Sequence, residues 1–150
     1  MSVEMDNEPQ ARQQASPTSG RRRHILLADD DAEMRALLVL ALTHEGYDVT
    51  ECCDGIELSI RLQKSIDRET QPVDVVISDI RMPGLSGLMA LAVHRCHPRC
   101  PPVILMSAFG DATAPPEARR LGAAAYLDKP FRLDDLMQRV HELAPTSVSV

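Results

Sequence analysis

The sequence predicts an α/β domain: a doubly wound parallel sheet of five strands with helices on both faces. Three observations carry this expectation. Short apolar runs, of the kind buried on both faces of a sheet, alternate along the chain with segments of helical period. Each run is followed by a helix-length segment, and right-handed crossovers of that length join neighbouring parallel strands. Polar residues able to do chemistry fall just after the runs, where a doubly wound sheet opens its crevice.

The elements follow in order. "HILLA" at 24–28 is a first strand, followed by Met34, Leu37, Leu38, Ala41 and Leu42 on one helical face, with Gly46 placed to end that helix. "YDVTEC" at 47–52 forms a second strand. "DGIE" at 54–57 resembles a capping box with Asp54 as the cap, opening a helix through Leu58, Leu62 and Ile66. "VDVVIS" at 73–78 is the most β-branched run and the best candidate for a central strand. The Pro/Gly-rich "RMPGLSG" then leads into a helix carrying Leu88, Leu91 and Ala92. "PVILMS" at 102–107 and "AAYL" at 124–127 supply strands four and five, and Leu133, Leu136, Met137 and Val140 mark a closing helix. Five such units suggest the flavodoxin-like order 2-1-3-4-5, which reverses its winding between strands 1 and 3.

Composition narrows the function classes. The chain has 150 residues, about one domain, and only 3% aromatic residues (Phe109, Phe131, Tyr47, Tyr126), which argues against a stacking surface for single-stranded nucleic acid. A net charge of −6 leaves no electrostatic footprint for DNA. The basic run "RRRH" at 21–24 reads as a solvated flank that discourages edge pairing. Residues 1–23 read as a disordered polar tail and 145–150 as a short closing tail, with no apolar stretch for a secretory signal or a membrane span, so a cytoplasmic location is expected. The "HRCHPRC" segment, with His94, Cys96, His97 and Cys100, lacks the separated half-sites of a structural zinc module, and the cysteines are expected to be reduced thiols.

Reading the residues after the strands gives Asp29, Asp30 and Asp31, then Asp79, Ser107 and Lys129, all expected to face one crevice. Crowded carboxylates raise one another's pKa and cost stability. A divalent cation resolves the conflict. Mg²⁺ favours carboxylate oxygen and is typically held by one or two carboxylates plus phosphate oxygens, so two of the three aspartates can hold it while Asp79 stays ionised as a nucleophile. Asp31 is expected to cap the first helix.

With "LLADDD", "VVISDIRMPGLSG", "ILMSA" and "YLDKPF" in this order and spacing, the chain resembles the receiver domains of two-component response regulators over residues 24–144. The resemblance implies a chemotaxis-regulator-like domain, a phosphoacceptor rather than an enzyme, with autocatalytic phosphotransfer and dephosphorylation only. It implies Asp79 as phosphoacceptor and a Mg²⁺ site formed by Asp29, Asp30, Asp79 and the backbone carbonyl of Arg81. It implies Ser107 and Lys129 as phosphoryl-binding groups, Tyr126 as the switch aromatic and Pro130 as a cis-peptide candidate. The implied partners are a sensor histidine kinase or a histidine phosphotransfer protein and a downstream protein target, with a phosphorylation-dependent homodimer as one form of output; from the short stretch after its closing helix and the lack of an apolar span, neither a DNA-binding domain nor a membrane partner is expected.

Two features qualify the likeness. Pro115 and Pro116 suit only the first turn of a helix, so the fourth helix is expected to be short or late and the output face unusual. The chain ends soon after its fifth helix, and a stand-alone receiver is expected. Two rival readings fit the residues less well. A haloacid-dehalogenase-like phosphatase would use Asp29, Asp31, Ser107 and Lys129, but it would leave Asp79 idle and lacks the Gly/Thr after the second acid. A receiver-like binding module that is no longer phosphorylated would have no need of the full set of acids, hydroxyl and lysine. Phe109 and Arg81 flank the expected site and bear on water access.

Overall fold

The computed structural model describes residues 21–108 and 110–146. Most of the tail expected at 1–23, the last residues of the tail expected at 145–150, and Phe109 lie outside the described residues. Ten elements alternate: β1 His24–Ala28, α1 Ala32–His44, β2 Asp48–Cys52, α2 Gly55–Ile66, β3 Val75–Asp79, α3 Gly87–His94, β4 Val103–Ala108, α4 Ala114–Arg120, β5 Ala125–Lys129 and α5 Leu133–Leu143. All pairings are parallel and the order is β2-β1-β3-β4-β5, as the sequence predicts.

The apolar strand runs work on both faces, because successive side chains alternate across a sheet. Leu26 and Ala28 of β1 join Val76, Leu105, Leu58, Leu62, Ala90, Leu91 and Ala118 in one core, beneath α2, α3 and α4. Ile25 and Leu27 join Ile77, Ile104, Met106, Leu38, Leu42, Leu136 and Val140 in the other, beneath α1 and α5. No helix among the described residues is long and apolar enough to cross a membrane.

Several boundaries and faces differ from the sequence reading. Strand three is Val75–Asp79 rather than 73–78, and strand five reaches Lys129 instead of stopping at Leu127, so Asp79 and Lys129 end strands rather than follow them. Just before β3 the Asp74 carboxylate accepts from Arg21 (3.0 and 3.2 Å) and from the backbone N–H of His24 (2.7 Å). Arg21 and Arg23 are therefore not a solvated flank: both pair with Asp74 and tie the start of β1 to the start of β3. Leu37 is half exposed, so α1 is buried along Leu38 and Leu42 only. In α3 the inward residues are Gly87, Ala90, Leu91 and His94 rather than Ala92.

Local signals place the helix ends as expected in most cases. Asp31 caps α1 by accepting from Glu33 N–H (3.0 Å) and Met34 N–H (3.3 Å). Gly46, at φ 99°, closes α1 in a Schellman motif: its N–H donates to Thr43 O, and Tyr47 N–H donates to Leu42 O. Asp54 caps α2 through Glu57 N–H, while the Glu57 carboxylate reaches the backbone N–H of Cys53, one residue before the cap. Helix α4 is 7 residues long, with its prolines in the first turn, matching the expectation of a short helix.

Gly87 fixes how closely α3 approaches β3. A Cβ at that position would lie 2.5 Å from Asp79 O and 2.8 Å from Ser78 Oγ, so only glycine lets the helix start against the strand that ends in Asp79. Gly87→Ala is expected to cost roughly 1 to 3 kcal/mol by overpacking, read as a lowered urea midpoint at an unchanged slope; an unchanged midpoint would show that the helix can shift at no cost.

Candidate functional site

The crevice is assembled from the carboxyl ends of β1, β3, β4 and β5. Asp29 follows β1 and is held in ladder geometry by its N–H, which donates to Cys52 O. Its carboxylate is fully buried: Oδ1 accepts from Asp31 N–H (3.0 Å) and Oδ2 from Lys129 Nζ (2.9 Å). Arg35 of α1 braces the same turn by donating to Asp29 O (2.6 Å) and to Glu51 (3.1 Å). Asp79 ends β3; its Oδ2 accepts from Lys129 Nζ (3.1 Å) and its Oδ1, at longer range, from Arg81 N–H (3.4 Å). The ammonium of Lys129 thus stands between two buried carboxylates drawn from different strands, and the peptide bond that follows it, to Pro130, is cis.

The electrostatics follow from this burial. Desolvation pushes the Asp79 carboxyl above its usual range; Lys129 opposes the shift, and the neighbouring charge of Asp29 adds to it. For Lys129 burial works against the charge, yet the hydrogen bond to Asp29 and the charges of Asp79 and Asp29 prevail and raise its pKa. Removing one member of such a buried set costs about 3 to 5 kcal/mol, several times the worth of an exposed ion pair such as Arg61–Glu57.

Asp29, Asp30 and Asp79 each offer a carboxylate oxygen within 4.8 Å of the other two, and among the described residues they are the only such grouping of acids, histidines or cysteines. Ligands about 2.1 Å from a six-coordinate Mg²⁺ lie at most about 4.2 Å apart, so a small inward adjustment suffices. The donor set, all hard oxygen with one exposed member open to water, fits that ion. Asp31 stays outside the grouping because its carboxylate is committed to the α1 cap, which also removes the second acid that a dehalogenase-type scheme would need.

Ser107 is buried near the end of β4 and donates to Asp111 Oδ2 (3.4 Å). The same carboxylate oxygen accepts from the Arg81 guanidinium (2.8 Å), and Oδ1 accepts from the Thr113 hydroxyl (2.9 Å). Tyr126 is half buried against the α2–α4 core, and its hydroxyl donates to Asp128 (2.9 Å). Burial and Asp128 raise its pKa, with the nearby Ser107 hydroxyl working the other way. Asp111 and Arg35 were missed in the sequence. Asp111 stands four residues after Ser107 in a glycine-containing loop, a spacing that flags no pairing until the loop folds back.

Two of the "HRCHPRC" side chains are spent elsewhere, His94 buried against the Ser59 hydroxyl (2.8 Å) and His97 accepting from Arg99 N–H, while Cys96 is exposed as a free thiol. His24 and His141 also have structural partners, Thr50 and Pro72 O for the first, Tyr47 and Glu45 for the second.

A doubly wound sheet whose first, third and fifth strands bring two carboxylates against one lysine, with a third acid at the mouth, defines an acidic-crevice domain of the response-regulator type. The family model for the response regulator receiver domain matches residues 25–141, and the chain belongs to that family, whose members act in two-component signalling. The regulatory protein AtoC of Escherichia coli is 38% identical over 112 residues, covering 75% of this chain and 23% of AtoC. The transcriptional regulatory protein PdtaR of Mycobacterium tuberculosis is 37% identical over 123 residues, covering 81% of this chain and 56% of PdtaR. The receiver domain of the Francisella response regulator 1452 superposes with a TM-score of 0.71 at 31% identity, over 81% of this chain and 96% of that one. The chain therefore spans about a quarter to about half of these curated relatives.

The exposed acid of the grouping can be tested separately from folding. Asp30→Asn is expected to weaken Mg²⁺ binding by at least about tenfold in calorimetric titration, since even groups that only orient a metal ligand are worth about 10- to 100-fold. Metal-free stability should stay within about 0.5 kcal/mol, as for other surface changes. Unaltered Mg²⁺ affinity would remove Asp30 from the site.

Proposed function

We propose that this receiver accepts a phosphoryl group on Asp79 from a phosphohistidine of a sensor histidine kinase or a histidine phosphotransfer protein, in a Mg²⁺-dependent reaction, and that phosphorylation changes which protein it binds. The observation that carries the reading is the Lys129 ammonium set between Asp29 and Asp79, 2.9 and 3.1 Å away. Lys129 keeps Asp79 available as an anion in a buried place, and it stands ready to neutralise charge that arrives there.

In the reaction a carboxylate oxygen of Asp79 forms a bond to phosphorus as the P–N bond to the donor imidazole breaks, and the imidazole takes up a proton as it leaves. The transition state for such a transfer is loose, so the protein contributes mostly position and compensating charge. Bound by Asp29, Asp30, Asp79 and the Arg81 carbonyl, Mg²⁺ would supply positive charge to both the carboxylates and the phosphoryl oxygens. Lys129 turns its ammonium to the new oxygens by charge-assisted hydrogen bonding, and the Ser107 hydroxyl donates to another. Movement of Ser107 opens space beside Tyr126, which links the site to the β4–β5 surface. The ligands bias an equilibrium between two arrangements in proportion to their different affinities for each.

Incubation with acetyl phosphate and Mg²⁺ is expected to add one phosphoryl group, base-labile and visible by intact mass, and Asp79→Asn is expected to abolish it. Labelling that survives in Asp79→Asn but is lost in Asp29→Asn would move the nucleophile to the first strand, and multiple turnover of phosphate esters would favour a phosphatase.

A cytoplasmic, stand-alone receiver whose effector is a separate protein belongs to the same proposal. The named relatives are longer, so the direct check is an immunoblot of source cells: a species at 16.5 kDa is expected, and a larger one would show an attached output domain.

A further inference from the structure

Three side chains converge on the Asp111 carboxylate, and two of them border Asp79. Ser107 belongs to β4, the strand paired with β3 beside Asp79, and Arg81 follows Asp79 by two residues. The Asp111 side chain is only 12% exposed, and Thr113, which precedes α4, spends its hydroxyl on Asp111 instead of capping the helix. A cavity of about 540 Å³ opens alongside, lined in part by Asp30, Arg81, Asp111 and Thr113. Asp111 thus stands at the rim of the crevice.

We propose that Asp111 is a positioning residue that holds the site in its resting arrangement by occupying the Ser107 hydroxyl, an inference that rests on Asp79 being the phosphoacceptor. A serine has one O–H to donate. Ser107 cannot serve Asp111 and a phosphoryl oxygen at the same time, so the two bonds exclude each other. The resting contact, at 3.4 Å, lies beyond the usual range of about 2.5–3.0 Å for a hydroxyl donor and is weak enough to be displaced. An incoming group of charge about −1.5 to −2, with three acceptor oxygens, outcompetes it. Arg81 and Thr113 keep Asp111 in place after Ser107 leaves, so the exchange is reversible and the resting state is restored when the phosphoryl group is lost. Asp111 therefore sets how much phosphoryl affinity is needed to switch the domain, without touching the reacting atoms.

The test uses beryllofluoride with Mg²⁺, a non-covalent phosphoryl mimic, titrated by ¹⁹F NMR into four proteins: wild type, Asp111→Ala, Ser107→Ala and the double variant. Asp111→Ala is expected to bind about two- to threefold more tightly than wild type, the low end of the worth of one net hydrogen bond because the contact is long, and the gain should vanish when Ser107 is also alanine. Asp111→Asn, which keeps an oxygen able to accept from Ser107, should show a smaller gain. Binding by Asp111→Ala that is equal to or weaker than wild type overturns the inference. So does a gain that persists without Ser107, because it would then come from the freed Arg81 guanidinium. A wild type that binds no beryllofluoride refutes the phosphoacceptor reading, and this inference with it, which is a different result from a binding wild type with an indifferent Asp111.

Discussion

The Lys129 ammonium is the interaction on which the rest of the crevice depends. Among the described residues it is the one cation in contact with the two buried carboxylates, and it reaches them from the far side of β3, across β4. Three structural requirements follow. Strand β5 must run far enough for its last residue to reach the crevice, which it does by ending at Lys129. Strand β3 must end in its aspartate with α3 beginning close behind, which Gly87 permits. The turn after β1 must aim one aspartate inward, leave the next at the exposed mouth of the crevice and turn the third to the helix. Asp29 is anchored by Cys52 O and Arg35, Asp30 is left at the surface, and Asp31 is spent on α1.

This division of labour explains how three consecutive aspartates are tolerated. Adjacent side chains in an extended or turning segment point in different directions, so the triplet concentrates less charge in one place than its spelling suggests. Only Asp29 loses its water, and it gains a backbone donor and the lysine in exchange. Asp30 remains hydrated, and Asp31 sits at the positive end of a helix.

Much of this was legible in the sequence because it depends on period and order. The β-branched run before Asp79, the apolar run before Asp29 and the alternation of helices fixed the sheet order, and the sheet order in turn fixed which strand ends meet. Asp31 as a cap, Gly46 as a terminator and the shortened helix after Pro115 and Pro116 could be read locally. The rest depends on contacts distant in sequence. Arg21 and Arg23 could not be matched to Asp74 without the β1–β3 pairing, so an anchored segment looked solvated. Leu37 fits a helical stripe but falls at its margin, beyond the reach of β1 and α5. Asp111 had no visible partner because Ser107 and Arg81 approach it only after β3 and β4 have paired.

Helix α5 is held at one end by groups outside the sheet. The Tyr47 hydroxyl donates to Ala144 O (2.7 Å) and meets His141 Nδ1 (3.2 Å), while Glu45 takes the other ring nitrogen of that histidine (2.9 Å). Burial pushes the Tyr47 phenol up to about 12, so this clasp keeps its proton through any physiological condition. The opposite end of α5 begins a few residues past Lys129 and has no side-chain cap. One end is riveted by these bonds and the other is continuous with the strand that carries Lys129. A displacement of Lys129 would therefore emerge as a pivot of α5 about its carboxyl terminus, largest where the helix begins, rather than as a translation of the whole rod.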